Sequence, residues 1–388
     1  MKKFAIVGIG LVDALGSNLE DNWLRYINGD VAQQKITNFK LEDFPVIKIH
    51  EAFEVDADKL DVSKFIPDKE RRYLDRYHIL GFYAAEQAIN QANIIDPEKT
   101  AIIFSSLGGG TSSILDCTKK LLDGKRSTPR ECLAAQRDSL PAMISRKFGF
   151  KGPNLNITSA CASGIMALDY ATKLLLEDEF DQVVVGGCDV MIDPMDIYMF
   201  QSIGALDTRN PPASLPFNEN RAGFVMGEGS AVYVVKRLET ALEHNDNILA
   251  VITGIGYASE AHHDTAVHPD GTGGRTSIDM ALRRAKLIKE DIDIVNAHAT
   301  STPNGDEVEY NIITDYFLDK PIQALKANIG HTMAACGLIE TAYLIHSLNK
   351  GCVNSLNKKV IGNFNRAIKN SFGFGGKCAS IIVEKYKK

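Results

Sequence analysis

Short β-branched runs alternate along this chain with longer amphipathic or apolar stretches. Runs rich in Val, Ile, Ala and Phe stand at Phe4–Ile9, Ala101–Phe104, Val183–Val185, Ala231–Val235, Ala250–Ile255, Ile292–Val295 and Ala379–Val383, and each predicts a buried strand. Between them, Tyr77–Asn93, Ala162–Glu177, Thr276–Ala285 and Ala334–Leu348 carry helical periodicity or are apolar almost throughout. Such alternation predicts an α/β fold on buried sheets. The pattern also repeats: Ala5-Ile-Val-Gly-Ile-Gly10 is echoed by Val251-Ile-Thr-Gly-Ile-Gly256, and Ser230-Ala-Val-Tyr-Val-Val-Lys236 by Ala379-Ser-Ile-Ile-Val-Glu-Lys385. The repeat predicts two similar α/β halves, 1–245 and 246–388, each opening and closing on a strand, with the polar segment Glu243–Asn247 between them.

Composition narrows the classes. Of 388 residues, 45% are hydrophobic and 24% charged, enough to bury a core and too apolar for general disorder. With 43 Lys+Arg against 49 Asp+Glu the net charge is −6, so no global basic field exists to hold nucleic acid or an anionic membrane. No apolar run approaches the ~18 residues that span a bilayer. Met1-Lys2-Lys3 before the apolar Phe4–Val12 has the outline of a signal peptide, but Asp13 follows directly and the run has its counterpart deep in the chain. The 7 cysteines form no C-x-x-C pair and no zinc-like spacing, which reads as reduced thiols in a cytoplasmic protein.

Four segments carry candidate chemistry. Asn154-Leu-Asn-Ile-Thr-Ser-Ala-Cys161-Ala-Ser-Gly164 places a cysteine between an apolar approach and a long apolar helix, where helix N–H groups favour thiolate. Alone, it reads first as a small buried residue in a tight turn. Two histidine segments change that. Asn296-Ala-His298-Ala-Thr300-Ser-Thr302 puts His298 at the C-terminal end of a predicted strand, and Lys326-Ala-Asn-Ile-Gly330-His331 puts His331 near a second helix start. Asn370-Ser-Phe372-Gly-Phe374-Gly-Gly376 is a glycine-rich turn before the last strand, whose backbone N–H groups can face a ligand.

In order and spacing, these four segments resemble the elongating β-ketoacyl-[acyl-carrier-protein] synthases of the thiolase superfamily. Pro216-Phe-Asn-Glu-Asn-Arg-Ala-Gly-Phe-Val-Met-Gly-Glu-Gly229 is similar to that family's PFD-x-x-RDGFVMGEG signature, and the resemblance covers almost the whole chain. It implies a five-layered α-β-α-β-α core of two βαβαβαββ halves. It also implies a decarboxylating Claisen condensation of a Cys-bound acyl chain with malonyl carrier protein, with no cofactor beyond the phosphopantetheine that the carrier brings. Cys161 would be the nucleophile, and His298 and His331 the condensing pair. Backbone N–H groups of Cys161 and Phe374 would form the oxyanion hole, Phe372 and Phe374 would gate the acyl channel, and Thr300 and Thr302 would hold the pantetheine arm. Lys326 and Glu340 match a supporting pair beneath the histidines, and Asn296, Glu309 and Glu340 fall where some members hold a structural monovalent cation. Acyl carrier protein is the implied partner. Lys69, Arg71, Arg72, Lys125, Arg126 and Arg209 are candidates for a docking rim, and a homodimer, or a heterodimer with a chain-length-factor subunit, is expected.

Departures from the pattern are Ala299 for glycine in H-G-T-S-T, Ala222 and Asn218 for aspartates, and Lys377-Cys378 for Thr-Asn. They leave every catalytic group in place and open a second reading, a specialised polyketide or polyene ketosynthase. Rival readings are a dinucleotide turn at Gly8-Ile-Gly10, a thiolase with a second cysteine near the C-terminal loop, and a metal site at His262, His263 and His268.

Overall fold

The computed structural model describes residues 2–387. The first half contributes strands β1 (Phe4–Asp13), β2 (Thr100–Ser105), β3 (Asn154–Ile157), β4 (Gln182–Asp189) and β5 (Gly229–Arg237). The second contributes β6 (Ala250–Ser259), β7 (Ile294–Asn296), β8 (Ile322–Gln323), β9 (Arg366–Gly373) and β10 (Lys377–Glu384). Spatial order is β3-β2-β4-β5-β1 in one half-sheet and β8-β7-β9-β10-β6 in the other, the same order with every label raised by five. Strand directions repeat too. β2 pairs parallel with β3 and β4, as β7 does with β8 and β9, and β5 and β10 each run antiparallel to both neighbours. The half-sheets join where β1 pairs antiparallel with β6 through Phe4, Ala5 and Ile6.

Five helices complete the layers: α1 (Arg76–Gln91), α2 (Ser163–Leu174), α3 (Thr272–Ala285), α4 (Pro303–Phe317) and α5 (Cys336–Lys350). α2 and α5 lie between the half-sheets, where Ile165, Leu168, Leu338 and Ile339 share one core with Ile103, Val185, Tyr233 and Ile381. α1 covers the outer face of the first half through Leu80 and Ala84 against Val184, Val232 and Val234. α3 and α4 cover the second through Ile278 and Ile312 against Val295, Ile368 and Ile382. Val183 and Val185 face inward and Val184 outward, so the strands are apolar on both faces because both faces are covered. The result is the expected α-β-α-β-α arrangement.

The glycine repeat has a packing cause. A Cβ on Gly8 or Gly10 would stand 2.2 or 1.9 Å from the carbonyl oxygens of Ala88 and Ala84 on α1, and one on Gly254 or Gly256 would stand 2.2 or 2.0 Å from those of Ala281 and Ser277 on α3. Each glycine pair lets a helix backbone rest directly on a strand. Gly8 and Gly10 therefore lie inside β1 rather than in a phosphate-binding turn, which removes the dinucleotide reading.

The glycine-rich segment also differs from expectation. Asn370–Gly373 completes β9, and only Phe374–Gly376 turns. Several helices were not marked by the hydrophobic pattern, among them α4 and Leu19–Ile27. On the latter, the indole Nε1 of Trp23 donates to Ser347 Oγ of α5 at 3.0 Å, tying the opening segment to the second half. Among the described residues, no helix is long and apolar enough to cross a membrane.

Candidate active site

Loops at the C-terminal ends of the parallel strands converge between the halves. Cys161 follows β3 and precedes α2 by two positions, after Ala160 at φ 47°. That left-handed alanine costs roughly 1–2 kcal/mol and turns the chain sharply at the cysteine. His298 lies two residues beyond β7. His331 follows β8 and a single helical turn, Lys326–Ile329. The Pro216–Gly229 segment cradles His331, whose N–H donates to Val225 O at 2.8 Å and whose carbonyl accepts from Gly227 N at 3.0 Å.

Cys161 Sγ is 3.1 Å from His331 Nε2, and the two imidazole rings stand 5.4 Å apart at 80°. These three side chains open on a cavity of about 500 Å³, lined also by Leu107, Thr300, Thr302, Phe372 and Phe374. The threonine hydroxyls lie 3.0 Å apart, and the Phe372 ring is 6.2 Å from that of His298. β9 ends on the nucleophile: a Cβ at Gly373 would stand 2.8 Å from the Cys161 amide nitrogen, so Phe374 follows immediately beside it.

Buried charge lies under the histidines. Lys326 Nζ is 2.5 Å from Glu340 Oε1, donates to His298 O at 2.5 Å and faces His298 Nδ1 at 3.5 Å. An ammonium offers only protons, so His298 Nδ1 accepts and its Nε2 carries the hydrogen. Burial, with Lys326 next, holds both imidazoles well below the ordinary histidine value, and they are neutral. Cys161 departs from expectation. It keeps partial access to the cavity, but the protein packed around its sulfur pushes the thiol up, Cys336 adds to that and Lys326 opposes it. The resting nucleophile is therefore a thiol, because desolvation outweighs the pull of the Lys326 charge.

Two carboxylates that the sequence reading missed shape the walls. Asp306 accepts from Phe217 N at 2.7 Å and Ser301 N at 2.9 Å, fixing the turn that carries Thr300 and Thr302. Asp189 accepts from Ser106 Oγ, Leu107 N, Gly108 N and Ala334 N at 2.7–3.0 Å, joining the halves behind Leu107 of the cavity wall. Each lies among other acids in sequence, Asp306 beside Glu307 and Asp189 ahead of Asp193 and Asp196, and nothing singles it out until its amide donors are brought together. The histidine loop holds its own turn: His263 Nδ1 accepts from Thr265 N and Ala266 N, and His268 Nδ1 from Asp270 N. Among the described residues the group of metal-ligating side chains close enough to share an ion is Cys161, His298 and His331, so the metal reading at His262, His263 and His268 is set aside.

The family model for the Beta-ketoacyl synthase N-terminal domain matches residues 1–241, and that for its C-terminal domain matches 249–357. The chain belongs to the β-ketoacyl synthase family. It is a condensing acyltransferase. A 3-oxoacyl-[acyl-carrier-protein] synthase 2 of Rhizobium meliloti is 31% identical to this synthase, over 100% of this chain and 99% of the relative. A β-ketoacyl synthase crystal structure from Burkholderia phymatum superposes with a TM-score of 0.90 at 26% identity, covering 100% of both chains. A ketosynthase chain from a type II polyketide system, solved with its acyl-carrier protein and bound to the hexaketide, shares the fold with a TM-score of 0.88 at 24% identity, over 99% of this chain and 100% of that one.

The departures of this synthase now have physical readings. Ala299 sits at φ 42°, a conformation a glycine adopts without strain. Asn218 Oδ1 accepts from Asn220 N at 2.9 Å and so forms the turn an aspartate would form. Ala222 and Lys377 are exposed, while Cys378 is buried in the cavity wall, outside the Cys161, His298 and His331 group. The six proposed docking residues do not line the cavity. Arg209 forks onto Asp207 (2.6 Å), Arg71 donates to Ala57 O (3.0 Å), Arg72 to Tyr73 Oη (2.8 Å), and Lys125 pairs with Asp123 (3.1 Å); Lys69 and Arg126 are exposed.

The implied monovalent cation does not fit. Glu309 turns its two oxygens to His298 N and Ala299 N at 2.7 and 2.6 Å. Asn296 Nδ2 donates to Gln323 and leaves its Oδ1 without a hydrogen-bond partner among the described residues, but the side of Glu340 that a cation would need is filled by the ammonium of Lys369 at 2.5 Å.

Proposed function

We propose that this synthase is a 3-oxoacyl-[acyl-carrier-protein] synthase that elongates an acyl chain held on Cys161 with malonyl units from acyl carrier protein. The observation that carries this is the Cys161 Sγ to His331 Nε2 contact of 3.1 Å, with neutral His298 facing it across a cavity roomy enough for an acyl-pantetheine.

Acyl transfer begins when the Cys161 sulfur attacks the donor thioester carbonyl. The oxyanion is received by the Cys161 and Phe374 N–H groups, and the carrier thiol leaves with the proton that Cys161 gives up. His331 Nδ1 has no hydrogen-bond partner among the described residues, so the less costly tautomer puts the hydrogen on Nε2, toward sulfur, where it steadies the developing thiolate. Malonyl carrier protein then enters, with Thr300 and Thr302 holding the pantetheine arm past Phe372 and Phe374. CO2 departs, and the Nε2–H groups of His298 and His331 stabilise the enolate on the thioester oxygen. The carbanion attacks acyl-Cys161, releasing 3-oxoacyl carrier protein and a Cys161 thiolate that regains a proton. The reaction closes without a redox or organic cofactor of the enzyme's own.

The partner is acyl carrier protein, an acidic protein. Because this chain is itself at −6, docking uses a local basic rim, with Lys69 and Arg126 the members free of the pairings described above. The division at 1–245 and 246–388, a homodimeric state and a cytoplasmic location complete the proposal. The likeness to a type II polyketide ketosynthase, together with the departures at Asn218, Ala222 and Ala299, supports a second reading, a specialised ketosynthase paired with a chain-length-factor subunit.

Intact-protein mass after mixing with a panel of acyl carrier proteins, beside Cys161→Ala, tests the first reading. An acyl-sized increment that requires Cys161 is expected. No increment with any donor until a second subunit is added would transfer the argument to the second reading.

A further inference from the structure

We propose that Lys369 is a built-in counter-ion that takes the place of an alkali cation in this synthase and ties the His298 loop to the gate strand. Its Nζ lies 2.5 Å from Glu340 Oε2, donates to Asn370 O at 2.6 Å and reaches Ala297 O at 3.3 Å. One carboxylate and two main-chain carbonyls are the hard oxygen donors that a small cation collects. A side-chain ammonium already stands among them, and Lys369 is fully buried.

The charge balance agrees. Glu340 is the acid in direct contact with Lys369, and two buried ammonium groups, Lys326 and Lys369, already face it. An added cation would bring a third positive charge to one carboxylate in the interior, a state several kcal/mol unfavourable. Glu340 is bridged on both sides, Oε1 by Lys326 and Oε2 by Lys369, each at 2.5 Å. Burial lowers the Lys369 ammonium from the ordinary lysine value and Glu340 opposes that fall, the balance of a desolvated cation held by a facing acid.

Position gives the ammonium a task. Ala297 directly precedes His298, and Asn370 lies on β9 two residues before Phe372. By holding both carbonyls, Lys369 fastens the strand end that presents a condensing histidine to the strand end that presents the gate. A covalently attached cation cannot be diluted away, so this link has no dependence on salt composition. Lys369 acts through its neighbours and is a positioning residue.

The test compares the full-length synthase in potassium chloride and in choline chloride of equal ionic strength, by melting temperature and by equilibrium dialysis with radioactive rubidium. Wild type is expected to melt at the same temperature in both salts and to retain no rubidium. Lys369→Ala, which opens a space lined by the same oxygens, is expected to melt lower in choline by roughly 5 °C or more, to regain stability in potassium and to retain rubidium. Lys369→Met, which fills that space without charge, is expected to be destabilised in both salts alike. Rubidium bound by wild type, or a wild type that melts lower in choline, would overturn the proposal even if neither variant folds. A Lys369→Ala protein indifferent to potassium would overturn it as well.

Discussion

The two halves place different chemistry at equivalent positions. After β3 the first half delivers Cys161 ahead of α2, and after β8 the second delivers His331 ahead of α5. One buried acid in each is handled differently. Asp189 accepts from a hydroxyl and three amides, all neutral, and burial raises it to about 6 against the pull of those donors. Glu340 sits between two ammonium groups. Neutral donors fix a shape and add little field, whereas ammonium groups fix a shape and impose one. Of these two acids, the one beside the nucleophile is thus held for placement and the one beneath the histidines for electrostatics, since the Lys326 charge helps keep both imidazoles unprotonated.

The largest effect separates the half-reactions. Cys161→Ala is expected to lower condensation by on the order of 10³-fold or more while malonyl decarboxylation continues. His298→Ala is expected to keep acyl loading of Cys161 while decarboxylation falls by about 10²–10⁴-fold. Carbon dioxide release and intact mass read the two steps, and a variant losing both equally would erase the division of labour.

Next comes stability. Glu340→Gln leaves two ammonium groups facing a neutral amide and is expected to cost about 3–5 kcal/mol. Asp189→Asn puts an amide NH2 group against donors and is expected to cost about 1–3 kcal/mol. Urea unfolding midpoints would reverse the contrast if Asp189→Asn proved the more damaging.

Gly10→Ala and Gly256→Ala each push a methyl group into a helix carbonyl, and matching losses of roughly 1–3 kcal/mol are expected. Clearly unequal thermal melts would show that the halves are not packed alike.

The pH response is smaller per step. Because the Cys161 thiol is raised, its thiolate fraction, and with it the rate of iodoacetamide alkylation, is expected to climb about tenfold per pH unit between roughly pH 7 and 9. Decarboxylation should stay flat from about pH 8 down to 6.5, because depressed imidazoles stay neutral there. An alkylation plateau below pH 8 would restore a resting thiolate. Smallest of all, Ala299→Gly relieves roughly 1–2 kcal/mol of left-handed strain and gives back about half of it in glycine's larger folding entropy, so a slight rise in melting temperature is expected.

Much of the fold was legible because strands covered on both faces are written as short β-branched runs, as in Val183–Val185. β8 spans Ile322–Gln323, too short to carry a period. Cys161, His298 and His331 stood out because hydroxyls and glycines surround each in sequence. Lys369 did not, since it follows Ile368 in an ordinary strand and finds Glu340 and Ala297 only when β9 closes against β7 and α5. The surroundings of the basic residues were hidden for the opposite reason: Arg209 meets Asp207 two residues away, a local pairing that a count of charges conceals. The glycines of β1 carried a true repeat and a false motif together, and only the carbonyls of α1 separate the two.

The indole of Trp23 supplies something that neither catalysis nor packing requires. It is the chain's 1 tryptophan, only 6% exposed, and its N–H is hydrogen-bonded to Ser347 on the helix that runs between the half-sheets. The protein therefore contains its own optical reporter of assembly. Emission should be blue-shifted while the opening segment is docked and move to the red when it leaves α5. Stopped-flow refolding of the unlabelled chain would then time the moment at which the second half receives the first.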